Sequence, residues 1–404
     1  MTTTINNEHK KPNVPNLRFP EFQGEWKEER LADIADLYKG TGISKDQLSD
    51  DGEPCILYGE LYTKYKSETI REVISKTNID NTKLVRSKAN DVIIPCSGET
   101  AEDIATARCV LNGNILLGGD LNIIRLHGYD GTFMSYQLNG RRKYDIAKVA
   151  QGVSVVHLYG EHLKGVKTIN PCLEEQKKIA KLLSLLDERI ATQNKIIEDL
   201  KKLKSAIIEE HYRQTEKNEV CVADLGNHFN VGNLAKDDLS ETGKPCIIYG
   251  ELFTTYGEVI SQIESHTNKT EGMILSKKGD LLFPSSTTVD AVSLIAPSVI
   301  NVDNVILGGD MFGIHISHNY NAQYLSYYFN HIAKKQLAKF AKGSTIIHLH
   351  YTDIEKAKLL LPSLEEQNRM AKCLVALDKK VSVEQNLLSS LTFQKSYLLQ
   401  QMFI

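Results

Sequence analysis

Cysteine is scarce and unpaired in this sequence. Only seven cysteines occur among 404 residues, and no two of them form a C-x-x-C pair. This pattern argues against a disulfide framework and against a structural zinc site. The sequence also has no apolar run of membrane-spanning length and no signal peptide. We therefore expect reduced thiols, no bound metal, no membrane partner and a soluble, cytoplasmic protein.

The motifs of common catalytic classes are also missing. There is no G-x-x-x-x-G-K-[ST] loop for ATP, no G-x-S-x-G nucleophile elbow and no H-E-x-x-H zinc motif. The string "KGTGIS" from Lys39 lacks the third glycine of a dinucleotide-binding loop. "NPCL" from Asn170 is the nearest match to an adenine methyltransferase motif, and its proline fits the first turn of a helix. The sequence predicts a protein without a catalytic site.

The charge balance gives no direct sign of a nucleic-acid partner. The chain carries 48 lysines and arginines against 51 acidic residues, a formal net charge of −3. Two local basic runs stand out, "GRRKYDIAK" from Gly140 and "AKKQLAKFAKG" from Ala333. Either run could neutralise phosphates, and either could equally be a solvated helix face.

The chain contains a long internal repeat. "PCILYGELYTKY" from Pro54 recurs as "PCIIYGELFTTY" from Pro245, and the two strings share nine of twelve residues. The similarity continues to "HLYGEHLKGVKTINPCLEEQ" from His157 and "HLHYTDIEKAKLLLPSLEEQ" from His348. A period of about 190 residues indicates one duplicated domain. Each copy begins with short apolar runs between turn signals, which predict a compact α+β domain.

Each copy ends in a long helical segment without proline or glycine. Apolar residues recur at alternating four- and three-residue steps in both segments, as in a coiled coil. We expect the two helices to pack antiparallel about a pseudo-twofold axis. Lys204 could then face Glu384, and Gln193 could face Lys395. The alternative is that these polar residues are solvated breaks in each seam.

Three features together resemble the specificity (S) subunit of type I restriction-modification systems. The first is "VPNLRFPEFQGEWKEERLADIA" from Val14, and the second is the pair "YGELYTKY" and "YGELFTTY". The third is "INPCLEEQKKIAKLLSLLDERI" from Ile169 with its counterpart "LLPSLEEQNRMAKCLVALDKKV" from Leu360. The phrase P-x-L-E-E-Q at the start of a long helix, used twice, is highly specific to this family.

The resemblance implies a division of the chain and a set of partners. It implies an N-terminal tail (1–23), target recognition domain 1 (24–166), spacer helix 1 (167–216), target recognition domain 2 (217–357) and spacer helix 2 (358–404). Each recognition domain would read one half of a split, asymmetric site in double-stranded DNA. The helices would set the gap between the halves and dock two methylation subunits, through which the restriction/translocase subunits join. S-adenosylmethionine, ATP and Mg²⁺ would be used by those partners and not by this chain.

Candidate DNA-reading residues lie where the two copies share a frame but differ in loop chemistry. Base readout needs donors and acceptors that reach the groove edges. For each candidate the alternative is an ordinary solvated loop. The candidates are Thr41, Ser44, Lys45, Tyr62, Thr63, Lys64, Tyr65, Ser97, Glu99 and Thr100 in the first copy, and Asn233, Lys236, Phe253, Thr254, Thr255, Tyr256, Ser286, Thr287 and Thr288 in the second.

Two further pairs of repeated residues favour structural roles. His157 and His348 lie in apolar runs leading toward the long helices, which favours packing of domain against helix over catalysis. Glu60 and Glu251, in the shared "YGEL", could be functional carboxylates or buried scaffold residues, at similar odds.

Three other functions stay open on the sequence alone. The chain could be a duplicated coiled-coil adaptor that binds no DNA, and such an adaptor would lack salt-dependent, sequence-selective DNA binding. It could also be an enzyme with a site between the copies. The third possibility is the S subunit of a fused methylase-nuclease system.

Overall fold

The computed structural model describes residues 13–80, 82–152 and 155–404. The first twelve residues of the predicted N-terminal tail therefore lie outside the described residues. The chain divides into two compact units. Unit 1 comprises the chain up to residue 194 together with 386–404, and unit 2 comprises 195–385. Each unit therefore contains one globular part and a segment of both long helices.

The globular part of unit 1 has short strands and short helices. The strands are β1 (Lys27–Arg30), β2 (Ala35–Lys39), β3 (Leu48–Ser49), β4 (Glu53–Ile56), β5 (Thr69–Ile70), β6 (Ser75–Thr77), β7 (Asp91–Pro95), β8 (Ser97–Gly98), β9 (Arg108–Val110), β10 (Leu116–Leu117), β11 (Leu121–Leu126), β12 (Val156–His157) and β13 (Lys167–Asn170). The short helices are α1 (Leu31–Ile34), α2 (Glu60–Thr63), α3 (Ala101–Ile104), α4 (Gly131–Asn139), α5 (Lys143–Val149) and α6 (Gly160–Lys164), with a 3-10 turn at Lys45–Gln47. The long helix α7 (Leu173–Gln214) begins in unit 1 and ends in unit 2.

Unit 1 is built in three layers around a mixed sheet of order β2-β11-β7-β9-β5. All of β7 is buried, which explains why Val92, Ile93 and Ile94 form an unbroken apolar run instead of alternating with polar residues. Val92 and Ile94 face a core shared with Met134 of α4. Ile93 faces a core shared with Ile56 of the second sheet, β10-β4-β6-β3. The central sheet is therefore covered by helices on one face and by the smaller sheet on the other.

Unit 2 repeats this order of elements with one additional short strand (Ile274–Leu275) and with a 3-10 turn (Val222–Leu225) in the place of α1. Its strands are β14 (Asn218–Cys221), β15 (Gly226–Asn230), β16 (Leu239–Ser240), β17 (Lys244–Ile248), β18 (Val259–Ile260), β19 (Ser265–Thr267), β20 (Ile274–Leu275), β21 (Asp280–Pro284), β22 (Ser286–Thr287), β23 (Ser298–Ile300), β24 (Ile306–Gly308), β25 (Met311–Ile316), β26 (Ile347–His348) and β27 (Lys358–Leu361). Its short helices are α8 (Glu251–Thr254), α9 (Ala291–Leu294), α10 (Ala322–His331), α11 (Lys334–Leu337) and α12 (Tyr351–Ile354), with 3-10 turns at Val222–Leu225, Lys236–Asp238 and Ala338–Phe340. The long helix α13 (Leu364–Met402) begins in unit 2 and ends in unit 1.

The layers of unit 2 match those of unit 1. The central sheet has the order β15-β25-β21-β23-β18, and the smaller sheet has the order β16-β19-β17-β24-β20. Leu281 and Phe283 of β21 pack with Leu325 of α10, while Leu282 packs with Ile247 of the smaller sheet. The predicted α+β fold with tandem domains and long helices is confirmed.

Within each unit the two long helices run antiparallel. In unit 1, α7 and α13 meet in one apolar cluster that contains Leu183 and Met402, and Lys395 reaches Asp187. As the residue number rises along α7, it falls along α13. The helices run antiparallel in unit 2 as well, where Lys204 of α7 contacts Asp378 of α13 and His211 of α7 contacts Glu366 of α13.

The predicted polar pairings within the helical seam are replaced by others. Lys204 was expected to face Glu384, but its ammonium group binds Glu258 and Asp378. The sequence predicts that Lys395 faces Gln193, but Lys395 forms ion pairs with Glu68 and Asp187. In both clusters one carboxylate comes from the globular domain, and the heptad pattern contains no information about the domain.

The glutamine of the repeated "LEEQ" phrase ties each long helix to its domain. Gln176 is buried, accepts a hydrogen bond from the Asp130 backbone N–H at 2.9 Å and donates one to the Pro171 carbonyl at 2.8 Å. Gln367 accepts the same kind of bond from the Asn321 backbone at 2.9 Å. Asp130 and Asn321 are the N-caps of α4 and α10. The phrase recurs because it joins the start of each long helix to the same domain helix.

Candidate nucleic-acid interface

Loops converge at one end of the central sheet in unit 1. Strands β2 and β7 end there and β11 begins there, because Lys39 pairs with Asn122 and Pro95 pairs with Leu121. The Cys96 N–H donates to the Asp120 carbonyl at 2.7 Å, which joins two of the loops. We call residues 39–42, 96–100, 118–120 and 157–159 the loop edge of unit 1.

The corresponding loop edge of unit 2 consists of residues 230–233, 285–288, 308–310 and 348–350. Pro284 pairs with Met311, and the Ser285 N–H donates to the Asp310 carbonyl at 2.7 Å. The Leu349 N–H in turn donates to the Ser285 carbonyl at 2.9 Å. The backbone bond that joins two loops in unit 1 therefore has its counterpart here, so side chains are displayed on equivalent frames.

Serine and histidine meet at the centre of the first loop edge. The half-buried Ser97 lies in β8, and its hydroxyl is 3.2 Å from Nδ1 of His157 in the paired strand β12. In unit 2, Ser286 is buried in β22 opposite His348 of β26. Both histidines thus lie in strand pairs of the domains, which corrects the expected packing against the long helices. Burial gives Ser286 a structural role in place of the predicted DNA contact.

The loops after β8 and β22 differ in the way they are capped. Glu99 and Thr100 are exposed, and the Thr100 hydroxyl accepts from the Asp103 N–H at 3.1 Å at the start of α3. In unit 2 the residue that caps the following helix, α9, is Asp290. Thr287 is half-buried and Thr288 is exposed. Thr287 also accepts a bond from Val289 N–H at 3.2 Å. Glu99 and Thr288 are therefore accessible at the loop edges.

The loop after β2 contributes less than its chemistry suggested. The Thr41 hydroxyl accepts from the Val85 N–H at 3.0 Å, so it stabilises the loop. Ser44 and Lys45 are exposed, with Ser44 preceding the 3-10 turn. Both remain candidates for DNA contact.

In unit 2 the matching loop also exposes its candidates. Asn233 and Lys236 are exposed, and Lys236 begins a 3-10 turn in which the Ala235 N–H donates to Asp238 at 2.8 Å. Neither side chain is buried in the domain, so both remain available to a ligand.

The segment after the first "YGE" is mainly structural. Tyr65 is 7% exposed and packs in the core, and its hydroxyl accepts from the Ile74 N–H at 3.3 Å. Lys64 binds Glu60 at 2.6 Å. Burial therefore gives Tyr65 a structural role instead of the predicted contact with DNA.

The two residues before Lys64 are more accessible than Tyr65. Thr63 is exposed and donates to the Gly59 carbonyl at 2.7 Å. Tyr62 is half-buried, and burial, followed by neighbouring Tyr58, Asp103 and Glu99, raises the pKa of its phenol. Thr63 and Tyr62 therefore remain candidates for DNA contact.

The matching segment of unit 2 lies against the helices. Thr254, Thr255 and Tyr256 line a cleft of about 810 Å³ whose far side includes Lys201 and Lys379 of the long helices. Phe253, at 36% exposed, is not among the lining residues and is accessible to solvent. The sequence predicts all four residues from Phe253 to Tyr256 as candidates for reading bases, but three of them line this cleft.

Comparison of the copies by sequence missed an aromatic and basic group at each loop edge. In unit 1, Tyr159 is 45% exposed and Lys39 Nζ lies 5.7 Å from the centre of its ring. In unit 2 the equivalent of Tyr159 is His350, which lines a cavity of about 520 Å³ with Lys342 and His348. The signal was present where "HLYG" in one copy becomes "HLHY" in the other. Aromatic and cationic groups of this kind suit stacking and phosphate contacts.

The repeated carboxylates Glu60 and Glu251 have a scaffold role. Glu60 is 5% exposed, accepts from the Leu57 N–H at 3.0 Å and binds Ser75. Glu251 accepts from the Ile248 N–H at 2.9 Å in the same way. Each carboxylate closes its own turn and ties that turn to the smaller sheet, so the structure favours the structural alternative.

The first basic run binds the end of the chain. Arg141 donates to the Gln400 carbonyl at 2.7 Å, and Arg142 donates to the Ile404 carbonyl at 3.0 Å. Both arginines therefore have local partners, but Arg141 is exposed and the suggested phosphate contact stays a prediction. In the second run Lys342 binds Asp353 at 2.5 Å, and Lys335 and Lys339 are exposed; the second run therefore retains cations that could meet phosphates.

The described residues contain neither a candidate metal site nor a membrane-spanning helix. Among residues 13–80, 82–152 and 155–404, no group of three or more His, Cys, Asp or Glu side chains could hold a metal ion. In the same ranges, no helix has the length and apolar character needed to cross a membrane. At the loop edge itself, burial raises the pKa of the Cys96 thiol to about 11, so this thiol is uncharged at neutral pH.

The sequence pattern of the family described as "Type I restriction modification DNA specificity domain" matches residues 23–202 and 215–392. The chain belongs to this family. It is a non-catalytic specificity subunit that recognises DNA. The MjaVIII specificity subunit of Methanocaldococcus jannaschii is 25% identical over 395 residues, which cover 91% of this chain and 89% of that subunit. The putative MjaX specificity subunit of the same organism is 24% identical over an alignment that covers 93% of this chain and 92% of that subunit.

Solved structures support the same fold. The S subunit of a type I restriction-modification system from M. genitalium has a TM-score of 0.66 at 18% identity and covers 97% of this chain and 99% of that one. A chain from a study of assembly and conformational transition in a type I R-M system has a TM-score of 0.53 at 15% identity, covering 94% and 97%. At these identities the likeness concerns the fold of the specificity subunit.

Proposed function

We propose that this specificity subunit reads a bipartite, asymmetric site in double-stranded DNA, one half with each unit. The observation that carries the proposal is the pair of loop edges. Their backbone frames are equivalent, but Lys39 and Tyr159 in one copy are replaced by Asn230 and His350 in the other. A shared frame with different donors and acceptors suits two different half-sites. The closed turns at Glu60 and Glu251 keep that frame constant.

The long helices supply the spacer and a surface for partners. Helix α7 has 42 residues, about 60 Å at the rise of an α-helix. Ile196 and Leu387 occupy the same repeat position, one on each long helix, and both side chains are 38% exposed. Two equivalent apolar positions fit two copies of one partner, and we assign them to two methylation subunits. The restriction/translocase subunits join through those copies.

The cofactor chemistry belongs to the partners in this proposal. S-adenosylmethionine is assigned to the methylation subunits, and ATP with Mg²⁺ is assigned to the restriction/translocase subunits. The chain itself contributes recognition and positioning.

Selection from random duplex DNA tests the proposed function. The chain, co-purified with its methylation subunit, is expected to enrich two short specified halves around a fixed unspecified gap. Binding is expected to weaken as salt rises, because each phosphate contact releases counterions. Failure to enrich any motif, although the complex forms and its methylation subunit is active on added adenine substrates, would favour the duplicated adaptor.

A single lysine offers a finer test of the loop edge. In Lys39→Ala the salt slope of DNA binding is expected to fall by about one, because one phosphate contact is lost for every sequence. The order of preference among DNA sequences should stay the same. Lys202→Ala is the matched control, since Lys202 is exposed on α7 and forms an ion pair with its equally exposed helix neighbour Glu198. An unchanged slope in Lys39→Ala would remove Lys39 from the interface.

A further inference from the structure

A buried ionic cluster joins the domain of unit 1 to both long helices. Lys395 Nζ lies 2.6 Å from Glu68 Oε2 and 2.7 Å from Asp187 Oδ1. The side chains of these three residues are only 15%, 12% and 9% exposed, respectively. The Tyr136 hydroxyl donates to Asp187 at 2.6 Å, and Lys395 Nζ lies 5.6 Å from the centre of the Tyr136 ring. Glu68 and Tyr136 belong to the domain, Asp187 to α7 and Lys395 to α13.

Unit 2 contains the same cluster built from the other ends of the helices. Lys204 Nζ lies 2.9 Å from Glu258 Oε1 and 2.9 Å from Asp378 Oδ1. The Tyr327 hydroxyl donates to Asp378, and Lys204 Nζ lies 5.4 Å from the centre of the Tyr327 ring. His331 adds a contact of 3.0 Å to Glu258. Here the lysine comes from α7 and the aspartate from α13.

The repeat shows that each cluster takes its lysine from the long helix of the other repeat. Asp187 and Asp378 are repeat equivalents, as are the lysines at 204 and 395 and the tyrosines at 136 and 327. Each domain tyrosine binds the aspartate of the helix that follows it in the chain. Each domain glutamate binds the lysine of the helix that follows the other domain.

We propose that Lys395 and Lys204 are crossed positioning residues, each carried by the helix of one repeat and fixing the recognition domain of the other. The proposal rests on the proposed function, because its consequence is the alignment of each loop edge with its half-site. It concerns orientation, since neither lysine lies at a loop edge.

Burial makes each lysine necessary for its cluster. Burial alone lowers the pKa of Lys395, but Glu68 and Asp187 outweigh it and the pKa is raised, so the ammonium group is charged. Without the lysine, two carboxylates would be buried close together without a bound cation. Removing one partner of a buried ion pair is strongly destabilising, because it leaves a charge uncompensated.

The domain holds its glutamate at a fixed place. Ser135 of α4 donates to the Glu68 carbonyl at 3.0 Å, and Ser326 of α10 donates to the Glu258 carbonyl at 2.7 Å. Both serines are fully buried. Because the backbone at each glutamate is anchored, the ion pair with the lysine fixes the domain itself and not merely a mobile side chain.

Replacing each lysine with methionine tests the crossing, because methionine keeps much of the length and removes the charge. In Lys395→Met we expect relaxed base preference in the half-site read by residues 24–166 and a loss of roughly tenfold or more in affinity. In Lys204→Met we expect the same change in the half-site read by residues 217–357, although Lys204 follows the first domain in the chain. Lys202→Met, on an exposed position two residues away, should leave both halves unchanged.

The double variant Lys395→Met with Glu68→Gln separates positioning from general damage. Neutralising the stranded carboxylate should recover part of the lost preference in the same half-site. Relaxation of the half-site read by the lysine's own repeat, or equal relaxation of both halves, would overturn the proposal.

Hydrogen exchange gives a readout that needs no DNA. Lys395→Met is expected to speed exchange around residues 66–70 and 131–139 and to leave residues 256–260 and 322–331 as in the unsubstituted chain. Lys204→Met should do the reverse. If the crossed exchange pattern appears but no DNA motif is ever selected, the positioning claim holds and the proposed function fails; faster exchange in both units from either variant would defeat the positioning claim.

Discussion

Exchanging residues 217–357 for the corresponding domain of another specificity subunit is expected to change one half of the selected DNA motif and leave the other half unchanged. The reason is that each unit has its own cores and its own loop edge. The gap between the halves should also stay the same, because both long helices are retained. The measurement is selection from random duplex DNA with the unsubstituted and exchanged complexes side by side.

The domain exchange needs a matched control for the residues that attach the domain to the long helices. The incoming domain should carry glutamate and tyrosine at the positions of Glu258 and Tyr327, since these residues seat the domain on the helices. A second exchange lacking that glutamate should bind DNA more weakly and select the same new half with relaxed base preference, because the ion pair with Lys204 is lost. Changes in both halves after the first exchange would contradict independent reading by the two units.

Trp26→Ala is expected to destabilise unit 1 by about 3–5 kcal/mol, the usual cost of removing a buried aromatic side chain. Trp26 is 2% exposed, and its ring lies edge-on to Phe133 at 5.8 Å and to Phe403 at 6.5 Å. Phe133 and Phe403 themselves stack at 5.1 Å. The cluster therefore joins the N-terminal segment, α4 and the end of α13, and its loss should loosen all three.

Unit-resolved hydrogen exchange during denaturation measures this effect, with Tyr144→Ala as control. Tyr144 is 68% exposed in the same unit, so its removal should change stability by no more than about 0.5 kcal/mol. Unit 2 should unfold at the same denaturant concentration in both variants. Since Trp26 is the one tryptophan of the sequence, its fluorescence reports unit 1 in the unsubstituted chain. Equal destabilisation of unit 2 by Trp26→Ala would contradict the separation of the cores.

The repeat and the helices could be predicted from the sequence because both are periodic. Apolar spacing fixes which face of a helix is buried, and a nine-in-twelve match fixes which residues are equivalent. The partners of Lys204 and Lys395 could not be predicted in this way. Their carboxylates Glu68 and Glu258 lie far away in sequence, and only tertiary packing brings them to the seam.

The candidate site was predictable as a set of loops but not residue by residue. Comparing the copies correctly drew attention to the loops after β2 and β7, which do meet at one end of the sheet. It could not separate Tyr65, which fills the core, from exposed Thr63 two residues earlier, because a four-residue helix has no clear period. Lys39 and Tyr159 were missed because they come from segments 120 residues apart and are joined only by the fold.

The most direct test of bipartite recognition is a map of methylated adenines in a host genome that expresses this chain with its methylation subunit. The expected result is a single split motif, two short specified halves around a fixed gap, absent when this chain is omitted. The two halves should differ in sequence, because the loop edges differ. Methylation at a continuous or unspecific set of adenines, or the same motif without this chain, would contradict recognition by two units.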